Sequence, residues 1–145
     1  MQRIFIENFG PINRFEADVK DVMLLIGPQA SGKSTLSKSI FLFKSIKDEL
    51  SKFILDVTNE QLEQPINEFS KHLRNRFVDC FGTTKHMKPF TLKYYYSNQK
   101  EMTFSLNPQN LVDAKFNSNI LDDMNVIFKR CVIMMKVYQE VKLAM

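Results

Sequence analysis

Cysteine is scarce in this 145-residue chain. Cys80 and Cys131 are the only two, 51 positions apart, with no CxxC and no Cys/His cluster. That spacing excludes a four-ligand structural zinc site and points to free thiols in a reducing cytosol. Long apolar runs are also lacking. The longest near the start is Val22-Met23-Leu24-Leu25-Ile26, far short of the roughly 20 residues that cross a bilayer. The opening MQRIFIENF carries charge early and has no apolar core or small-residue cleavage site, so it does not read as a secretion signal. A cytoplasmic protein with no membrane partner is expected. Glycine is rare too: there are four, and two of them, Gly27 and Gly32, fall within one nine-residue stretch.

What is present suits one domain spanning 1–145: 44% hydrophobic and 25% charged residues, enough for a core without staples. Net charge is +4 but uneven. Residues 71–100 hold Lys71, Arg74, Arg76, Lys85, Lys88, Lys93 and Lys100 against a single acid, Asp79. Such a segment is either a solvated lysine-rich face or an attraction for nucleic acid.

Arg3–Phe9 is rich in β-branched and aromatic residues and predicts a strand, closed by a turn at Gly10-Pro11. Asn13–Ala17 predicts a second short strand and residues 18–21 a polar turn. The apolar run Val22–Ile26, followed at once by a turn-rich loop, predicts a buried strand in a sheet covered on both faces. Leu36, Ile40, Phe43, Ile46, Leu50 and Phe53 recur by threes and fours and mark a helix. A second helix is expected from Asn59 or Glu60 to about Asp79, with Leu62, Ile66, Phe69, Leu73 and Phe77 as its stripe and Pro65 near its start. Phe90, Leu92, Tyr94 and Tyr96 alternate with polar neighbours, as do Met102, Phe104 and Leu106, which predicts a β-hairpin ended by Asn107-Pro108. From about Ile120 a last helix carries Leu121, Met124, Phe128, Cys131, Met135 and Tyr138 on one stripe. The fold class expected is α/β, with a β-hairpin and flanking helices around an incomplete sheet.

Gly27-Pro28-Gln29-Ala30-Ser31-Gly32-Lys33-Ser34-Thr35 matches G-x-x-x-x-G-K-[ST] at every fixed position. Each fixed residue has a physical task. Gly27 and Gly32 permit backbone angles and close approaches that a Cβ would forbid. The loop amides can then turn inward round a phosphate, aided by the N-terminus of the following helix. Lys33 would reach the β- and γ-phosphates of ATP, and Ser34 would ligate Mg²⁺ through its hydroxyl.

The order Ile4-Phe5-Ile6-Glu7-Asn8-Phe9-Gly10-Pro11-Ile12, a second strand, then Leu24 to Thr35, resembles the N-terminal opening of ABC-type ATPases, most of all the RecF/SMC-like and OLD-like AAA ATPases. The resemblance covers about residues 2–45. It implies a P-loop NTPase-like N-terminal lobe that binds ATP and Mg²⁺ through Gly27–Thr35. It also implies two heads enclosing ATP between them, as a homodimer or with a partner subunit, and often action on DNA. Hydrolysis in that family further needs an apolar Walker B strand ending in acid, a Ser-Gly-Gly signature and a switch histidine. Phe53-Ile54-Leu55-Asp56 reads instead as the end of a helix, and Ile120-Leu121-Asp122-Asp123 as the start of one. No Ser-Gly-Gly occurs, and His72 and His86 fall mid-chain as surface residues. The expectation is therefore the nucleotide-holding part of an ATPase head, truncated or completed by another polypeptide, with catalytic residues unknown. Two alternatives differ in class. A small P-loop kinase would draw on Arg74 and Arg76 but lacks an acidic acceptor motif. A nucleic-acid module would use residues 71–100, with Tyr94, Tyr95 and Tyr96 as candidates for base stacking.

Overall fold

The computed structural model describes residues 1–58 and 60–145. It is an α/β structure: five antiparallel strands and three α-helices. The strands are β1 (Gln2–Phe9), β2 (Ile12–Val19), β3 (Thr91–Tyr95), β4 (Glu101–Leu106) and β5 (Val112–Phe116), and the sheet order is β2-β1-β3-β4-β5. The helices are α1 (Lys33–Asp56), α2 (Pro65–Phe81) and α3 (Ser118–Ala144).

Alternation sets the register. Ile4 pairs with Tyr94 and Ile6 with Leu92; Leu92 then pairs with Phe104 and Tyr94 with Met102. These six side chains fall on one face because side chains repeat every two residues, and all are fully buried. The α1 stripe (Leu42, Phe43) and the α2 stripe (Phe69, Leu73, Phe77) cover them. Phe43 stacks on Tyr94 with ring centroids 5.2 Å apart, and Phe77 meets Phe104 at 5.4 Å. The opposite sheet face carries Arg3, Phe5, Lys93 and Tyr95, half-buried or exposed, with the Arg3 guanidinium 4.5 Å from the Tyr95 ring centre.

Several boundaries differ from expectation. β2 runs on to Val19, which pairs with Gln2, so the polar turn starts two residues later than its composition suggests. Of the two expected starts of α2, Asn59 lies outside the described residues and Glu60 is a turn residue before the helix. From Gln61 a short 3₁₀ turn leads to Pro65, which starts α2; proline has no N–H to lose at a first helical position. α2 ends at Gly82, whose φ of 85° and N–H bond to the Val78 carbonyl (2.7 Å) close the last turn. β5 was not anticipated.

The main correction concerns Val22–Ile26. This segment is not a strand and joins no ladder among the described residues. Both edges of β1 are already taken by β2 and β3, and the chain leaves the sheet after Val19. Met23 and Leu25 pack against the core, while Val22, Leu24 and Ile26 are more than four-fifths exposed. The run is half-covered rather than buried on two faces.

Candidate functional site

The loop Gly27–Thr35 follows that segment and runs into the first turn of α1, and the β1–β2 turn braces it from below. Gly32 has φ of 94°, and a Cβ there would lie 2.6 Å from Ile12 Cγ1 and 3.4 Å from Pro11 Cγ. Thr35 sits against Gly10 of the same turn: a Cβ on Gly10 would be 3.5 Å from Thr35 Oγ1. The Asn-Phe-Gly-Pro-Ile stretch of the first hairpin and the glycine-rich loop are thus one packed unit.

The two glycines of the motif act differently. Gly32 supplies the left-handed backbone and the close approach to Ile12. Gly27 has no positive φ, but its missing Cβ would project into the loop, 3.1 Å from Ser31 Oγ and 3.9 Å from Lys33 Nζ. Ala30 at the loop tip holds φ of 60°, a conformation that costs an L-residue with a Cβ about 1–2 kcal/mol. Local strain of this kind collects where a backbone is shaped for a ligand.

Hydrogen bonding around the loop is one-sided. The Gly32 carbonyl accepts from Leu36 N–H at 2.8 Å, but α1 has no side-chain cap. The amides of residues 31–35 donate to no protein acceptor among the described residues. These unpartnered N–H groups stand at the positive end of a 24-residue helix. Lys33 turns its ammonium back into the loop and donates to the Gly27 carbonyl (2.6 Å), the Pro28 carbonyl and Ser31 Oγ (3.3 Å). Residues Gly27 to Ser31 and Ser34 are exposed, and the Ser34 hydroxyl has no protein partner among the described residues. Next to the loop lies a groove of about 550 Å³ between β2 and the Val22–Ile26 segment. Its charged lining groups, Arg14 and Lys33, are both positive.

The donor set fits a polyphosphate: a row of free amides, a cation, a helix dipole and no carboxylate. A Mg²⁺ ion accompanying such phosphates would find the exposed Ser34 hydroxyl beside them; among the described residues no group of three or more His, Cys, Asp or Glu comes together.

The other candidates disperse. Asp56 is the last residue of α1, and Asp122 and Asp123 lie in the first turns of α3, as helix ends rather than a Walker B strand. Asp123 pairs with Lys100 at 2.5 Å. Of the basic segment, Lys71 pairs with Glu68, Arg76 with Glu49 and Lys93 with Glu101, so much of its charge is answered locally. Tyr94 is fully buried and donates to Gln2 Oε1 at 2.6 Å, and Tyr96 donates to the Phe43 carbonyl at 2.7 Å. Burial pushes the Tyr94 phenol up to about 12 and the Tyr96 phenol higher still. Of the three tyrosines, only Tyr95 lies on the open sheet face.

His72, expected at the surface, is half-buried in a cluster that sequence gave no sign of. Its Nε2 lies 2.8 Å from Glu49 Oε2, and Arg76 Nε and Lys52 Nζ stand 3.2 and 3.5 Å from Glu49 Oε1. Burial pushes the Glu49 carboxyl up, but the His72 hydrogen bond and the charges of Arg76, Lys52 and His72 outweigh it and hold the group below the usual carboxylate range. The cluster fastens α1 to α2, away from the loop.

No helix among the described residues is long and apolar enough to cross a membrane. Residues 1–142 match the model of the family described as AAA ATPase domain. No curated protein and no solved structure matches the chain.

Proposed function

Because the chain belongs to the AAA ATPase domain family, we propose that it binds Mg-ATP through a Walker A loop at Gly27–Thr35. The observation that carries this reading is the row of unpartnered amides at residues 31–35, with the Lys33 ammonium held inside the same loop. The amides of Ala30 to Thr35 receive the phosphates. Lys33 gives up its carbonyl partners and moves to the β- and γ-phosphate oxygens, and the Ser34 hydroxyl ligates the metal. Magnesium, when bound, supplies charge neutralisation between the β- and γ-phosphates. Gly27 and Gly32 keep the loop interior open, and the Gly10-Pro11 turn holds its base.

Within the family, the Ile4–Ile12 stretch and the loop resemble those of the RecF/SMC-like and OLD-like ATPases. In this reading residues 1–145 act as one P-loop unit, the nucleotide-holding part of a head. Val22–Ile26, free of ladder partners among the described residues, is where a further strand would pair. Hydrolysis then depends on an acidic residue and a signature segment from a further portion, a second copy or a partner subunit, with DNA as the substrate the resemblance suggests. A cytoplasmic setting suits the two free thiols.

The test is calorimetry of Mg-ATP on the wild type and Lys33→Ala, with phosphate release followed in the same samples. Binding that Lys33→Ala abolishes, without turnover, is expected. Equal binding by the two proteins would refute the assignment, and Lys33-dependent turnover would refute the need for a further portion.

A further inference from the structure

A second cavity, of about 410 Å³, opens on the other side of the Gly10 turn. It shares Thr35 with the loop, so it begins where the loop ends. Its walls are aromatic. Phe9 and Phe81 meet edge-on at 4.8 Å, and Phe9 and Phe90 lie 4.7 Å apart. Phe90 is buried, but Phe81 is only half-buried. Asn8, His86 and Lys88, all exposed, supply the polar rim. This is the composition of a small-molecule pocket: apolar walls, few polar groups and a volume within the usual range.

The direction of the bound chain follows from the loop. A Walker A lysine reaches the β- and γ-phosphates, while the loop amides cradle the α- and β-phosphates. Lys33 and Arg14 both line the groove beside the loop, and the terminal phosphate is assigned to that end because it carries the two cations. The α-phosphate, and whatever is attached to it, leaves at the opposite end, past Thr35. The first space met there is the aromatic cavity.

Resting on the Mg-ATP reading above, we infer that this cavity receives the nucleoside, with Phe81 and His86 of the α2–β3 connection setting affinity for the base. The base lies against the open side of Phe81 and beside the exposed His86 ring, and Asn8 and Lys88 face its polar edges or the ribose. The connection between α2 and β3 is thus a base-recognition segment.

Phe81→Leu keeps apolar volume against Phe9 and Phe77 but removes the stacking ring; His86→Ala removes an exposed ring. Both are titrated by calorimetry with Mg-ATP and with Mg-tripolyphosphate, beside wild type and Lys33→Ala, after thermal melts confirm folding. Wild type is expected to bind Mg-ATP at least tenfold more tightly than Mg-tripolyphosphate. Each pocket variant should lose about five- to a hundredfold in ATP affinity, the range that base stacking spans, and leave tripolyphosphate affinity unchanged. Photolabelling with 8-azido-ATP should mark residues 81–90. Pocket variants that bind ATP as wild type does, or tripolyphosphate binding as tight as ATP, would overturn the inference while a Lys33→Ala loss leaves the loop assignment standing. Absence of ATP binding by the wild type, or its persistence in Lys33→Ala, would remove the loop assignment and the pocket with it.

Discussion

Gly32→Ala tests whether the first hairpin and the loop are one packed unit. Two costs combine. Alanine at φ of 94° is in the left-handed region, unfavourable by about 1–2 kcal/mol. The new methyl would also sit 2.6 Å from Ile12 Cγ1 and 3.1 Å from Cδ1, and Ile12 is buried, so its side chain has little room to withdraw. Overpacking of this kind costs about 1–3 kcal/mol. A loss of about 2–5 kcal/mol in urea unfolding is therefore expected. A double-mutant cycle separates the two parts. Ile12→Ala removes Cγ1 and Cδ1, so in its background Gly32→Ala should retain the backbone cost and lose the clash, giving a coupling of about 1–3 kcal/mol. Gly27→Ala is the control. Its Cβ would crowd the end of the Ser31 side chain, at 3.1 Å, with Lys33 Nζ at an ordinary 3.9 Å, and its φ is not positive. It should change stability by less than about 0.5 kcal/mol yet weaken Mg-ATP binding by crowding the loop interior. A Gly32→Ala loss below about 1 kcal/mol, or no coupling to Ile12, would refute the bracing argument.

Other outcomes follow from the packing. Glu49→Gln should destabilise the fold by about 1–3 kcal/mol near neutral pH by loosening charge-assisted bonds. Because the folded carboxyl titrates below its ordinary 4.5, that contribution is complete above the unfolded value and is lost as pH falls through the folded one; a wild-type advantage undiminished in acid would count against it. Tyr96→Phe should cost about 1 kcal/mol through the lost bond to the Phe43 carbonyl, and an unchanged urea midpoint would contradict this. In an absorbance titration, Tyr94 and Tyr96 should stay un-ionised until about pH 12 or until unfolding; early ionisation of all four tyrosines would mean that the two are not buried. Ile133, Met134, Tyr138 and Val141 project outward from α3 at half exposure or more, so the isolated chain should self-associate as concentration rises. Sedimentation as a monomer at millimolar concentration would refute that.

How far the sequence revealed this structure depended on the range of the interaction involved. The α1 stripe from Leu36 to Phe53 and the alternation at Leu92/Tyr94 and Met102/Phe104 were legible because period encodes burial locally. Val22–Ile26 misled because apolar character reports a wish for cover, while ladder partners are a long-range matter. Val112–Phe116 went unread because Ala114 and Lys115 dilute a short alternation of Val, Ala and Phe. On α3 the expected stripe is only partly used: Met124 and Phe128 are buried, but Tyr138 is exposed. The loop residues were picked out by a fixed motif, and the helix that follows them, α1, was legible from its own apolar spacing. The Glu49–His72–Arg76 cluster was not, because its members lie on two helices and meet only when these pack.

The folded-back posture of Lys33 sets a threshold of charge. Its ammonium already has three oxygen partners in the loop. An incoming anion must out-attract two carbonyl dipoles and a hydroxyl before the lysine swings toward it. A nucleoside monophosphate would place its charge at one phosphate position only, whereas a triphosphate would extend it along the loop as far as the lysine. In the proposed mode of binding, the loop would grade ligands by the length of their phosphate chain before any contact with the base is made.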